Sequence, residues 1–254
     1  MCKSVIIIWV NFMIKNIKDV DINYIDYGKG ANTLVFLHGW GQNIEMMKPV
    51  GDKIKDNRII IIDLPGFGDS PEPNEIWSMY DYADMVHELL NSLGVSNPIL
   101  LGHSFGGKIS LIYASKYKTN KLVLFGSPFK KKIVKLSTKT KVLKSLKKVP
   151  GLNKLEGFAK KHIGSRDYKQ ASPFMRKILV EHVNLDIEEE VKKIKCPTLI
   201  IWGTLDEEVP LEDAYELEKL ISDAAVIEYP GCGHYAYLEN LGQTVKIIKN
   251  FIGG

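Results

Sequence analysis

Cysteine is scarce in this chain of 254 residues: Cys2, Cys196 and Cys232 are the whole complement. Their spacing fits neither a zinc site nor a disulfide framework, and a reducing cytoplasm is the expected setting. Long hydrophobic runs are missing too. The most apolar stretch near the N-terminus covers only residues 5–10, against about 20 residues for a spanning helix. No small-residue cleavage pattern follows it, which argues against a secretory leader. Internal repeats, low-complexity tracts and recognised nucleic-acid-binding modules are also lacking. An excess of one charge sign is absent overall, with 34 Lys and Arg against 30 Asp and Glu. An apolar content of 45% then leaves an ordinary globular chain, long enough for one large core.

What is present concentrates around residues 98–107, Pro-Ile-Leu-Leu-Gly-His-Ser-Phe-Gly-Gly. A short apolar strand over 99–101 runs into Gly102-His103-Ser104-Phe105-Gly106, and a helix-compatible stretch follows over 107–117. Glycines two residues either side of Ser104 make room for a turn too tight for side chains. Such a turn lifts the serine hydroxyl above the sheet edge, and the following helix aims its N-terminal N–H groups at the same place. The alternative is a glycine-rich turn whose serine only caps a helix.

A serine needs a histidine to take its proton and an acid to orient that histidine. The order Ser, acid, His at successive strand ends is satisfied by the apolar run 198–202, opening into Asp206, and the run 225–229, opening into His234. Glu207 and Glu208 are rival acids, but Asp206 lies three residues after Gly203 and has the shortest reach. His87, His103, His162 and His182 have structural explanations, and Cys232 reads as a small buried filler. An oxyanion hole needs two backbone donors, each worth about 2.7–4 kcal/mol of barrier. Phe105 N–H supplies one, and Trp40 N–H, after the strand at 34–37 and the turn at Gly39, supplies the other. His38 is expected to brace that loop.

HGWG at 38–41, DLPGFGDS at 63–70, GHSFGG at 102–107, PTLIIWGTLDEEVP at 197–210 and GCGHYAYLE at 231–239 together resemble the α/β-hydrolase superfamily. The resemblance implies an α/β fold: an eight-stranded, mostly parallel sheet with helices on both faces and a small helical cap after the sixth strand. It places Ser104, Asp206 and His234 on the triad positions, and it implies a serine esterase that needs no metal or organic cofactor. Branches with an aspartate nucleophile are excluded by Ser104. HGWG and DLPGFG also resemble the esterases that demethylate pimeloyl-acyl-carrier-protein methyl ester, although those carry tryptophan where His103 stands. Carbon–carbon bond hydrolases of the same fold use a cap arginine, for which Arg176 is available. They also place tryptophan after the catalytic histidine, where this chain has Tyr235. A slow-turnover, receptor-like ligand binder is the reading from another class.

The expected organisation is a catalytic core over 13–127 and 194–254, with a basic helical insert over 128–193. Further core elements are read at 14–17 and 20–27 (a hairpin), 59–62 and 121–125 (strands), and 80–93, 211–221 and 241–251 (helices). Residues 1–12 are either an extension ahead of a start at Met13, or a further strand or surface anchor. Between Pro128 and Val180 sixteen Lys and Arg face only Glu156 and Asp167, a formal +14 within a chain of +4. The rest of the chain therefore carries −10. That asymmetry is either a solvated helix surface or a steering patch for an anionic partner, such as an acyl carrier protein or a lipid surface. A small-molecule ester is the expected substrate, and nucleic acid is not an expected partner.

Overall fold

The computed structural model describes residues 12–131 and 171–253. An eight-stranded sheet organises them: β1 (Phe12–Ile17), β2 (Val20–Tyr27), β3 (Thr33–Leu37), β4 (Arg58–Ile62), β5 (Ile99–His103), β6 (Lys121–Phe125), β7 (Thr198–Gly203) and β8 (Ala224–Tyr229). Its spatial order is β1-β2-β4-β3-β5-β6-β7-β8. The β1–β2 and β2–β4 pairs are antiparallel, and every other pair is parallel. A tight two-residue turn joins β1 to β2, with Lys18 and Asp19 both at positive φ, as the right-handed twist of a hairpin demands.

The central strands are buried on both faces, which is why they read as continuous apolar runs. Val35, Leu37, Ile60, Ile62, Leu100, Leu122, Leu124, Ile200 and Trp202 point into one core. Leu34, Phe36, Ile59, Ile61, Leu101, Val123, Phe125 and Ile201 point into the other. The helices α1 (Ile44–Gly51), α2 (Met79–Ser92), α3 (Phe105–Lys116), α4 (Pro173–Asn184), α5 (Glu188–Val191), α6 (Leu211–Leu220), α7 (Ala236–Glu239) and α8 (Leu241–Gly253) complete the layers. The first core packs α2, α3, α4, α5 and α6, and the second packs α1, α7 and α8.

The eight strands and the helices read at 80–93, 107–117, 211–221 and 241–251 lie within two residues of their expected positions, and one two-residue shift is informative. The helix expected from Gly107 begins at Phe105. Gly106 and Gly107 are poor helix formers, but tertiary contact overrides propensity here. A Cβ on Gly106 would approach His38 O to 2.6 Å, so the absence of side chains lets this helix press onto the end of β3.

The insert expected over 128–193 is described only at its two ends, and its middle, 132–170, lies outside the described residues. Its return segment is part of the core rather than a separate body. Ile187, Val191 and Ile194 are fully buried in the first core, and Ile187 N–H donates to Phe129 O at 2.9 Å. The run at 5–10 likewise lies outside the described residues, and β1 begins one residue before Met13. Among the described residues no helix is long and apolar enough to cross a membrane.

Candidate active site

The parallel strands deliver their C-terminal ends to one edge of the sheet, where ligands bind in open α/β folds. β5 ends in His103, and Ser104 follows at φ 50°, ψ −110°, a region sparsely populated by residues with a Cβ. Ser104 N–H donates to Phe125 O at 2.9 Å, tying the strained residue to the end of β6. A Cβ on Gly102 would fall 2.5 Å from Ser110 Oγ and 2.7 Å from Gly107 Cα, so only glycine fits beneath the turn. Phe105 is the first residue of α3, and its N–H therefore has no partner four residues back in the helix.

β7 ends in Gly203, and the next turn presents Asp206. Its carboxylate is nearly solvent-free, with 1% of the side chain exposed. Oδ1 accepts Glu208 N–H and Val209 N–H, both at 2.9 Å. Oδ2 lies 2.8 Å from His234 Nδ1. A carboxylate fixed this firmly places the Nδ1 proton and leaves Nε2 with the lone pair. Glu207 and Glu208 are exposed, so Asp206 is the acid that holds the histidine. His234 itself sits on the turn after β8 with 11% of its side chain exposed.

Gly126, just after β6, brings these parts together. A Cβ there would lie 3.0 Å from His234 Nδ1 and 3.1 Å from Asp206 Oδ2. The preceding residue is Phe125, whose carbonyl holds Ser104. The Ser104 turn is thus tied to one, and the Asp206–His234 pair lies against the next, of two consecutive residues at the end of β6.

The fourth loop leaves β3 through His38. Gln42 N–H donates to Gly39 O at 3.2 Å, with Gly41 at φ 70°, so residues 39–42 form a tight turn that needs glycine at its third position. Trp40 occupies the second position. Its ring packs edge-on against Phe105, at 5.2 Å, and Phe67, at 4.9 Å. The two residues expected to donate to an oxyanion are therefore seated on one another. His38 is fully buried and takes no place at the surface of the site. Leu64 N–H donates to its Nε2 at 3.0 Å, and its Nδ1 lies 2.7 Å from Gly39 O, so the ring braces two loops in its neutral form. Burial pushes its pKa well below the ordinary histidine value.

Beside Trp40 lies a cavity of about 230 Å³, lined among the described residues by Trp40, Phe67, Met175, Glu72, Ser172 and neighbouring small residues. His182, set aside on sequence grounds, packs its ring 4.9 Å from Phe105. Its only signal in the sequence is its place on the α4 stripe with Met175, Ile178 and Leu179, which marks burial rather than chemistry. Gln42 carried no signal either, yet its side chain reaches both Gly39 and Tyr235. Cys232, expected to be a buried filler, is half-buried on the rim of the second core. Burial raises its thiol pKa, which disfavours the thiolate. No group of three His, Cys, Asp or Glu side chains converges as a metal site among the described residues.

A family model described as the alpha/beta hydrolase fold matches residues 32–134 and 137–241. The chain belongs to the α/β-hydrolase family. Lipase 1 of Psychrobacter immobilis is 29% identical to this hydrolase over 261 residues, covering 90% of this chain and 79% of that protein. A 2-hydroxy-6-oxononadienedioate/2-hydroxy-6-oxononatrienedioate hydrolase of Paraburkholderia phymatum is 26% identical, covering 92% of each chain. Among solved structures, a bromoperoxidase from Bacillus anthracis superposes with a TM-score of 0.77 at 23% identity, covering 96% of this hydrolase and all of that chain. That last likeness is one of fold.

Proposed function

We propose that this hydrolase cleaves carboxylic esters through an acyl-enzyme on Ser104, with His234 as general base and then general acid, and Asp206 as its orienting partner. The observation that carries the reading is the saturated Asp206 carboxylate holding His234 Nδ1 at 2.8 Å beside the strained Ser104 turn. In the first half-reaction His234 Nε2 takes the Ser104 proton as Oγ adds to the ester carbon. The oxyanion is received by Trp40 and Phe105 N–H groups, and the same proton then goes to the departing alkoxide. In the second half-reaction His234 takes a proton from water, hydroxide equivalent adds to the acyl carbon, and Ser104 leaves reprotonated. No metal or organic cofactor takes part in this scheme. The cavity beside Trp40, of about 230 Å³ and lined by Trp40, Phe67 and Met175 together with Glu72 and Ser172, is taken to receive one short arm of the ester.

A second reading is cleavage of a carbon–carbon bond, favoured by relatives such as the Paraburkholderia phymatum enzyme. The test of both is a substrate panel: p-nitrophenyl esters of increasing acyl length beside a vinylogous 1,5-diketone acid, with fluorophosphonate labelling of Ser104. Ester turnover dominating the diketone, with one label on Ser104, supports the esterase. Dominant diketone turnover replaces it with the second reading, and no label on folded protein overturns both.

A further inference from the structure

We propose that His103 and Gln42 form a positioning relay that holds the Trp40 loop and the His234 loop in fixed register across the Ser104 turn. The inference rests on the roles proposed above for those three residues. His103 is the last residue of β5 and is fully buried. Its ring is packed by His234 at 4.7 Å, Tyr237 at 5.0 Å and Tyr235 at 5.2 Å. Nε2 lies 3.0 Å from the backbone carbonyl of His234, and Nδ1 lies 3.3 Å from Gln42 Oε1. That same Oε1 accepts Gly39 N–H at 3.0 Å, and Gln42 Nε2 donates to Tyr235 Oη at 3.3 Å. One glutamine and one histidine therefore touch the oxyanion turn, the nucleophile turn and the two residues 234 and 235.

The protonation of His103 follows from this arrangement. Desolvation, followed by repulsion from His234, drives its pKa well below the ordinary value, so the ring is neutral and carries one N–H. His234 O and Gln42 Oε1 can both only accept, so the single proton goes to one of them: the shorter contact, from Nε2 to His234 O at 3.0 Å, takes it, and Nδ1 meets Gln42 by packing without a hydrogen bond. The crowding is close: a Cβ on Gly39 would come within 2.8 Å of His103 Nδ1 and 3.0 Å of Gln42 Nε2. Asp206 fixes the imidazole of His234, and the relay fixes the main chain that carries it. Gly233 N–H, bonded to Glu239 at 3.1 Å, fastens the loop from the other side. Neither relay residue meets the reacting atoms, so both are positioning residues. Their value lies in geometry, where a displacement of about 1 Å costs about a hundredfold in rate.

The test measures kcat and KM on a p-nitrophenyl ester, and the rate of fluorophosphonate labelling, for His103→Leu, His103→Gln, Gln42→Ala and the double variants, each checked for a cooperative melt. His103→Leu fills the space without an N–H donor. It is expected to lower kcat and labelling rate about 10- to 100-fold with KM changed less than about threefold. His103→Gln keeps a donor and should recover most of that loss. Gln42→Ala, at a half-exposed position, should cost several-fold alone and little once His103 is already leucine. Full kcat in His103→Leu, equal losses in the leucine and glutamine variants, additive losses, or an effect confined to KM would each overturn the relay. If His103→Leu does not fold, the coupling is read between His103→Gln and Gln42→Ala. Unaltered protein that takes no label would overturn the esterase reading itself, whereas labelled protein with unslowed variants overturns only the relay.

Discussion

The proposed chemistry rests on single residues whose local patterns are the plainest in the sequence. Ser104, Asp206 and His234 each follow a short apolar run and sit between glycines or at a strand end, a pattern that only a few residues in a chain satisfy. Ser104→Ala is expected to abolish fluorophosphonate labelling and lower ester turnover by several orders of magnitude, and His234→Ala to do nearly the same. The double variant should be little worse than either, because the triad acts as a unit. Normal turnover in correctly folded Ser104→Ala would remove the proposed function. The contacts that Gln42, His103 and His182 make were not legible, because they span long sequence separations. Gln42 and Tyr235 are 193 residues apart, and no local pattern announces their meeting. His38 offers a residue-scale pH test. Its folded pKa is depressed, so the unfolded chain binds the extra proton first, and the stability it contributes is present above about pH 6.5 and lost as pH falls below it. His38→Gln should melt with a flatter dependence on pH between 6.5 and 4 than the unaltered protein. Parallel curves would show that His38 is not the titrating group.

At the scale of elements, α3 joins the site to the rest of the molecule. Lys108 lies one turn after Ser104 and is wholly buried, an uncommon place for lysine. Its Nζ donates to His182 O and Leu185 O, both at 2.8 Å, so it serves the open carbonyls at the end of α4. A cation suits that end of a helix. Desolvation nevertheless lowers its pKa to about 8, against partial relief from Asp186 and Glu181. The folded pKa thus lies below the unfolded one. The destabilisation from burying the charge is complete below about pH 8 and is relieved as pH rises toward the ordinary lysine range. Relative to Lys108→Met, the unaltered protein should gain stability between pH 8 and 10, by at most about 1.4 kcal/mol per pH unit. A constant difference in unfolding free energy across that window would mean Lys108 keeps its charge throughout. Elements themselves were largely readable, since alternating two-sided apolar runs and amphipathic helices follow from burial. The start of α3 was not, because close approach to β3 rather than helix propensity decides where it begins.

Across the whole molecule, charge is divided between a basic stretch and an acidic remainder. If the basic stretch between Pro128 and Val180 steers an anionic partner, raising ionic strength from 0.01 to 0.15 M should slow turnover of a carrier-linked ester, as the Debye length falls from about 30 to about 8 Å. A neutral ester should be unaffected, and equal responses would return these lysines to a solvated surface. Lys130 is a poor residue to alter in that test, because it is already ion-paired to Glu216 on α6. Removing residues 1–12 should leave activity unchanged and stability nearly so. The only described residue lost is Phe12, whose side chain is largely solvent-facing at 57% exposure. A large fall in melting temperature would show that the segment contributes to the core.

The bond from Ile187 N–H to Phe129 O also changes how the chain can be broken. It joins the segment that leaves the sheet after β6 to the segment that returns toward β7, and both residues are fully buried. The described ends of the intervening span are therefore held together in the first core, which α4 also enters through Met175 and Ile178. A single peptide bond severed by trypsin within residues 132–170, where lysines abound, would therefore produce two fragments that stay married through gel filtration. The nicked protein would keep Ser104 and His234, on different polypeptides, within one working site.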